Sequence, residues 1–354
     1  MKNIPKLHTD ADLSQVCVVT VTYSDRRHLL YQTLEAVQRY NVPYIVVVLN
    51  GVPEEVRSDI VERFKDSGSS VQFAICDENR GSAGGFAAGL KHACTLKNVR
   101  FAWLLDDDNV PQGDSLCHLI KAETELRLTI GKQVSVTSMR PGRQAWEDLL
   151  AGETADSIFL PTGSSMGVDL RTLFRRFVDR KMKRSAIVFN QHNDCRRWPS
   201  LPETVYGGLL LPLDAIDLIG MPNSEFYVYY DDIEYSRRLV KAGVPIFLIP
   251  ESKIKDLEPS WLSGPVRGRG PGKLFYRRDI MRAVYQVRNE TYNGARSAPV
   301  RFVPNLLAAM TILSFYAVAG GRWREFIAIT MGVYDGIRGR LGRIMPLVLL
   351  NVLI

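Results

Sequence analysis

Three consecutive carboxylates, Asp106, Asp107 and Asp108, follow the apolar run Phe101-Ala102-Trp103-Leu104-Leu105, which has no helical period. Such a run reads as a buried strand that stops at a charged site. Side chains alternate along a strand, so Asp106 and Asp108 face one way and Asp107 the other. The first and third carboxylates can then share one hard cation through oxygen ligands. An acidic turn after a strand is the plain alternative. A second acidic pair, Asp231-Asp232, lies within Phe226–Leu239 (FYVYYDDIEYSRRL). Glu234, Arg237 and Arg238 follow within about two helical turns, so the pair sits at or near a helix N-terminus, where negative charge is favoured. Capping and dipole compensation alone would also account for it.

The elements that must position these groups alternate regularly. Val16–Thr22 (VCVVTVT) is β-branched and ends in Tyr23-Ser24-Asp25-Arg26-Arg27; Leu30, Thr33, Leu34 and Val37 then recur at helical spacing. Tyr44–Leu49 is a second buried strand, ending in Asn50-Gly51. A charged helical stretch from Glu54 to Lys65 leads to a third, Val71–Cys76. A glycine-rich turn, Asn79-Arg80-Gly81-Ser82-Ala83-Gly84-Gly85-Phe86, opens the next helix, and the strand carrying the three aspartates follows. This alternation implies a mostly parallel α/β sheet with right-handed crossovers and ligands at the carboxyl ends of its strands. The glycine turn is neither the dinucleotide fingerprint nor a P-loop. Further on, Val205–Leu211 (VYGGLLL) reads as a strand in which Gly207-Gly208 would let a bound molecule lie close to the backbone. Val244–Pro250 (VPIFLIP) reads as another, leading into Glu251–Asp256.

The chain has 354 residues and a net charge of +7, enough for one large α/β domain with an appendage. Fourteen Lys/Arg against four Asp/Glu lie between Pro259 and Ile354, so the basic character belongs to the C-terminal quarter. The five cysteines are odd in number and widely spaced, and read as reduced core residues of a cytosolic protein. The first fifteen residues lack a hydrophobic signal core, so nothing directs export. The histidines share no spacing and receive no role.

The ordered set VTVTYSDR, VVLNG, NRGSAGGFAAG and WLLDDD resembles the inverting family 2 glycosyltransferases of the GT-A fold, which transfer a sugar from a nucleotide diphosphate donor. The glycine stretch with Asp-Asp-Asp is most similar to the galactofuranosyltransferases of that family and next to its rhamnosyltransferases, which use dTDP-rhamnose. The resemblance implies that Asp106 and Asp108 hold Mn²⁺ or Mg²⁺ against the donor diphosphate. Tyr23, Asp25, Asn50, Asn79, Gly81, Gly84, Gly85 and Asp107 would line the donor side. It implies a catalytic base at the second acidic pair, Asp232 first and Asp231 as the alternative, with Glu234 orienting. Many relatives carry a histidine ligand near the end of the 251–256 segment; here Asp256 stands in about that place. Tyr285-Gln286-Val287-Arg288-Asn289 resembles the family's Tyr-x-x-Arg-Asn element, and Arg288 has a structural or donor-side role unless it is a helix-surface charge. Two rivals from other classes are a nucleotidyltransferase, whose phosphate loop would follow the first strand directly, and a non-catalytic nucleotide-sugar binder, which would not need Asp231 and Asp232.

These implications divide the chain into a GT-A domain over residues 1–258 and a helical extension over residues 259–354. Arg171 to Arg184 reads as a solvated basic helix or an acceptor-side insertion, and Pro259–Lys273 as a mobile loop whose arginines could close over a diphosphate. Phe302–Ala319 is uncharged and just long enough to span a bilayer, but polar residues and Pro304 interrupt it. Its flanking arginines and Trp323 favour a surface-lying anchor on anionic lipid, with a buried core helix as the alternative. The expected partners are a nucleotide-sugar donor, a lipid-linked or polysaccharide acceptor in cell-surface glycan synthesis, such as O-antigen or cell wall, and an anionic membrane surface rather than nucleic acid. The expected location is cytoplasmic, peripheral at the inner face of the cell membrane.

Overall fold

A computed structural model describes residues 13–65, 70–175, 197–258, 270–276 and 279–344. The described residues fall into two units: 13–152, 197–224 and 232–258 in the first, and 153–175, 225–231, 270–276 and 279–344 in the second. The helical unit thus draws on two internal segments that a linear division at residue 258 assigns to the sheet.

In the first unit the β-branched run Val16–Thr22 forms β1, flanked in parallel by β2 (Tyr44–Asn50) and β4 (Phe101–Asp106), with β3 (Ser70–Cys76) parallel beyond β2. Helices α1 (Arg27–Gln38), α2 (Glu54–Phe64) and α3 (Gly81–Ala93) make the crossovers. These central strands are buried on both faces, which explains their near-continuous apolar sequences. The expected α/β sheet is present.

Beyond β4 the sheet ceases to be parallel. β8 (Leu209–Pro212) runs antiparallel to β4, β6 (Ser135–Met139) antiparallel to β8, and β9 (Ile246–Asp256) parallel to β6. β5 (Asn109–Gln112) closes that edge against β9, and the short β7 (Ser200–Leu201) also pairs with β9. Helix α4 (Ser115–Ile130) joins β5 to β6, α5 (Gln144–Leu150) follows β6, and α6 (Asp231–Lys241) precedes β9.

The second half of the sheet departs from the sequence reading in several places. The strand expected over Val205–Leu211 begins only at Leu209, because Gly208 turns the chain at φ +101° while its N–H donates to Leu104 O at 2.8 Å. The strand expected over Val244–Pro250 begins at Ile246 and continues to Asp256, since β5 pairs with its polar half. Neither β5 nor β6 shows an apolar signature. Cys17 and Cys76 are buried as expected, but Cys94 is exposed and Cys117 partly so; Cys195 lies outside the described residues.

The second unit contains α7 (Ile280–Ser297), α8 (Pro299–Gly320) and α9 (Trp323–Arg338). Glycines let α9 close on α7: a Cβ at Gly336 would stand 2.4 Å from Arg288 O, and one at Gly332 3.0 Å from Val284 O. Helix α8 is two-faced. Phe302, Asn305, Ala309, Leu313 and Ala317 are buried, with Asn305 Nδ2 donating to Gly163 O at 2.9 Å, whereas Val300, Val303, Leu307, Phe315 and Val318 are exposed. Among the described residues α8 is the one helix long and apolar enough to cross a membrane, with 28% of its most apolar window buried. Of the expected basic stretch, Arg176, Arg180, Lys181, Lys183 and Arg184 lie outside the described residues, as do residues 259–269 of the expected loop.

Candidate active site

β4 ends at Asp106, so Asp107 and Asp108 lie in the turn to β5, where Asp107 takes partners that its two neighbours do not share. Its carboxylate accepts from Arg26 Nε at 2.9 Å, Arg26 Nη2 at 3.0 Å and Thr22 Oγ1 at 2.8 Å, and its carbonyl accepts from Thr33 Oγ1 at 2.9 Å. Burial pushes this carboxyl above the usual carboxylate range, against the opposing pull of Arg26. Arg26 also bonds Glu258 at 2.9 Å and lies over the Tyr23 ring, 5.1 Å from its centroid. Asp107 therefore ties the acidic turn to the end of β1.

Asp106 and Asp108 lie on the other side. Asp106 keeps a carboxylate that is 40% exposed, with Arg140 Nη1 at 3.4 Å. The Asp108 carboxyl is pushed up to about 7 by burial and by the charges of Asp106, Asp107 and Asp256, with Arg140 opposing. Asn109 is the hub of this turn. It accepts from the Asp106 N–H at 3.1 Å, and its Nδ2 donates to Asp108 Oδ1 at 3.0 Å and Asp256 Oδ1 at 3.2 Å. Here the carboxylates of Asp106, Asp108 and Asp256 collect more negative charge than Arg140 and the nearby Arg143 offset, which fits a hard divalent cation held by Asp106 and Asp108. The expected third ligand is not brought into that set. Asp256 is engaged by Arg140, whose Nε donates to its two oxygens at 2.8 and 3.2 Å, and among the described residues no three His, Cys, Asp or Glu side chains surround one point.

The glycines bound this pocket of charge. A Cβ on Gly207 would lie 2.2 Å from Asn109 Oδ1, 2.5 Å from Arg140 Nη1 and 2.7 Å from Asp106 Oδ2, so only glycine fits against the carboxylate edge. Gly208 stands behind it in the turn to β8. At the neighbouring strand ends, Asn50 is buried and fastens the glycine turn. Its Nδ2 donates to Gly81 O at 2.9 Å and to Asn79 Oδ1 at 3.3 Å, and its Oδ1 accepts from Arg80 N at 2.9 Å. Asn79 Oδ1 accepts from Gly81 N at 2.8 Å, and Gly81 itself adopts φ +69°. Gly85 lets α3 sit on β1, since a Cβ there would be 2.5 Å from Val21 Cγ1; one on Gly84 would meet Arg80 Cβ at the same distance. Tyr23 is exposed. Asp25 forms an exposed pair with Arg27 at 2.7 Å, which holds its carboxyl below the usual range.

The second acidic pair opens α6 as the sequence implies. Asp231 is buried; Asp232 is part-exposed and accepts from the Ile233 N–H at 2.8 Å. Desolvation, Asp106 and Glu203 push the Asp232 carboxyl up to about 6, with Ile233 N–H and Arg143 opposing. Asp106 and Asp232 are thus within electrostatic reach of each other in the first unit. Glu234 is held by Arg238, which donates to it at 3.0 Å and also to Met221 O at 3.2 Å. In the second unit Arg288 is no surface charge. It is buried, and donates to Phe226 O at 2.9 Å, Gly342 O at 2.7 Å and Asn289 Oδ1 at 2.9 Å.

Three arginines escaped the sequence reading. Arg26 ends a motif already singled out but was given no role, whereas Arg140 and Arg143 flank a Pro-Gly at the end of β6, a strand too polar to notice. Arg143 caps α5; its Nε is buried without a hydrogen-bond partner, and burial and Arg140 push it down to about 10, against the pull of Asp256, Asp106 and Asp232.

Residues 17–182 match the family model described as glycosyl transferase family 2. The chain is similar over this stretch to a glycosyltransferase family 2 domain, set here in a mixed α/β sheet flanked by helices. It is 28% identical over 232 residues to galactofuranosyltransferase GlfT1 of Mycolicibacterium smegmatis, covering 65% of this chain and 67% of that one. Similar solved structures include GalNAc-T7 with UDP, GalNAc and Mn²⁺ (TM-score 0.48, 12% identity, 68% of this chain and 43% of that one) and S. aureus TarS (TM-score 0.44, 10% identity, 91% and 55%). The chain spans about half the length of these two structures.

Proposed function

We propose that this chain transfers a sugar, galactofuranose, from UDP-galactofuranose to a lipid-linked or polysaccharide acceptor with inversion at the anomeric carbon. The observation that carries this reading is the pairing of a metal-type carboxylate edge, Asp106 and Asp108, with a separate acidic group, Asp232, whose proton affinity is raised. The GlfT1 relative supports galactofuranose as the sugar. A rhamnosyl donor is the alternative within the family.

Asp106 and Asp108 would hold Mn²⁺ or Mg²⁺, which supplies positive charge to the donor's diphosphate. Asn109 bridges Asp108 to Asp256 and Arg140 bridges Asp106 to Asp256, and Asp107 anchors the turn through Arg26. Asn50 and Asn79 shape the glycine turn against which the donor lies, and Gly207, lacking a Cβ, lets Asp106, Asn109 and Arg140 close against the backbone on the acceptor side. The acceptor hydroxyl oxygen attacks the anomeric carbon from the face opposite the diphosphate. The bond to the diphosphate oxygen breaks with its electron pair, and the hydroxyl proton passes to Asp232. A carboxyl with affinity near 6 is ionised at neutral pH yet basic enough to take that proton.

The second unit is proposed to rest on an anionic membrane surface. Its support is the exposed row Val300, Val303, Leu307, Phe315 and Val318 on α8, beside the half-exposed Trp323 and the arginines that begin and follow α9. The opposite face of α8 is packed within the unit, which favours lying on the bilayer over crossing it. That surface would present a lipid-linked acceptor at the cytoplasmic leaflet.

The deciding experiment is turnover of a panel of nucleotide sugars with release of free nucleoside diphosphate as the readout. Turnover of UDP-galactofuranose above the others supports the reading. Turnover of dTDP-rhamnose alone replaces the sugar, and release of pyrophosphate in place of nucleoside diphosphate would make the protein a nucleotidyltransferase.

A further inference from the structure

The chain enters the Asp231-Asp232 pair through an unusual turn. Tyr227, Tyr229 and Tyr230 all lie in the left-handed region, at φ +65°, +64° and +70°. Bulky residues rarely adopt this conformation, and each instance costs free energy that the surroundings must offset. Three within four residues, directly before the acidic pair, cannot be set by local preference.

The surroundings that offset it are on the page. Asn289, buried on α7, aims its side-chain amide at three carbonyls of the turn: Phe226 O at 2.9 Å, Val228 O at 3.1 Å and Tyr229 O at 2.8 Å. Its own Oδ1 accepts from Arg288 Nε, and Arg288 Nη2 also donates to Phe226 O. Two ring contacts complete the grip, Tyr227 stacked on Tyr285 at 5.4 Å and Phe226 edge-on to Tyr292 at 5.7 Å. All of these groups belong to the second unit. Phe226 O also accepts from Val228 N at 2.8 Å within the turn, and the Asn289 amide adds to that bond and reaches the part-buried carbonyls of Val228 and Tyr229, so the turn and its clamp support each other.

We propose that Asn289 is a positioning residue for the transfer reaction: by bridging the carbonyls of residues 226, 228 and 229 it fixes the left-handed tyrosine turn from which Asp231 and Asp232 enter α6. This rests on the reading of Asp232 as the base. Asn289 acts through the backbone and touches neither donor nor metal carboxylates. The amide's two hydrogens, rather than its shape, do the holding, and Arg288 fixes which end of the amide faces the turn.

The test uses the full chain with the nucleotide sugar that the wild-type protein turns over. Asn289→Ala is expected to lower kcat tenfold or more while the donor KM and Mn²⁺-dependent binding of the nucleoside diphosphate stay within twofold. Asn289→Gln keeps both N–H donors on a stem one methylene longer; it is expected to fold and to show an intermediate kcat. If Asn289→Ala does not fold, the Gln variant decides. A folded variant with wild-type kcat, or one that loses donor affinity at unchanged kcat, overturns the proposal. If the wild-type protein transfers no sugar, it is the functional reading that fails.

Discussion

Arg140 binds Asp256 with two hydrogen bonds from Nε, at 2.8 and 3.2 Å, and still reaches Asp106 with Nη1 at 3.4 Å. One guanidinium at the end of β6 thus spans carboxylates from β4 and β9. Its side chain is only 5% exposed and that of Asp256 19%, so removing the cation leaves a carboxylate in a desolvated place. Arg140→Ala is expected to destabilise the first unit by about 3 kcal/mol, on the scale for breaking a largely buried pair. Urea titration of the variant checks this, and unchanged stability would mean that water replaces the guanidinium.

The metal edge separates the three aspartates. Asp106→Ala and Asp108→Ala should each abolish divalent-dependent donor binding in calorimetry. Asp107→Asn should leave that binding in place and lower stability instead, since it weakens the Arg26 and Thr22 contacts. Equal loss of binding in all three variants would contradict the alternation of roles.

The base assignment fixes a pH profile. Transfer needs Asp232 unprotonated, so below its pKa of about 6 the rate falls tenfold per unit, and above it the rate levels off. Asp232→Asn should lower kcat by roughly a hundredfold or more, the usual scale for general-base catalysis, and remove this acid limb. If Asp231→Asn is dead while Asp232→Asn is active, the two roles exchange.

Gly207 offers a test that touches no charge. Ala at this position drives a methyl group into Asn109, Arg140 and Asp106. The Gly207→Ala variant is expected to remain folded by circular dichroism and to lose transfer at least tenfold. Full activity would show that the edge can shift without consequence.

The membrane proposal turns on one helix face. Leu307→Glu with Phe315→Glu should release the protein from anionic vesicles in flotation assays while leaving its fold intact, because both side chains are exposed. High salt should weaken wild-type binding to the same vesicles. Retention of the double variant on vesicles would move the contact elsewhere.

What the sequence reveals of this site depends on burial pattern. β1, β2 and β4 are almost wholly apolar and, with the more polar β3, stop abruptly at Tyr23, Asn50, Asp106 and Asp77, so both the elements and their ends can be read directly. β5 and β6 carry no apolar signature because Asn109, Ser135, Thr137 and Ser138 are buried yet polar, satisfied by cross-strand partners that only the fold supplies, such as Leu210 O for Ser135 Oγ at 3.0 Å. Arg140 and Arg143 were hidden with them. Asn50 was expected on the donor side, and the structure gives its amide a role in shaping the turn. Arg288 could not be placed from sequence because its acceptors, Phe226 O and Gly342 O, lie more than fifty residues away on either side.

The order of strands carries a further consequence, for how the chain reaches this state. β1 to β4 pair with one another within residues 16–106, whereas β4 meets β8, and β5 meets β9, across roughly 100 to 150 residues of intervening chain. Loop closure makes such distant pairings slow, so the parallel half of the sheet is expected to form first and the acidic edge last. The crowding of Asp106, Asp108 and Asp256 is thereby deferred until Arg140 arrives with β6 to offset it. Pulse-labelled hydrogen exchange during refolding should show amides of β1 and β2 protected before those of β8 and β9.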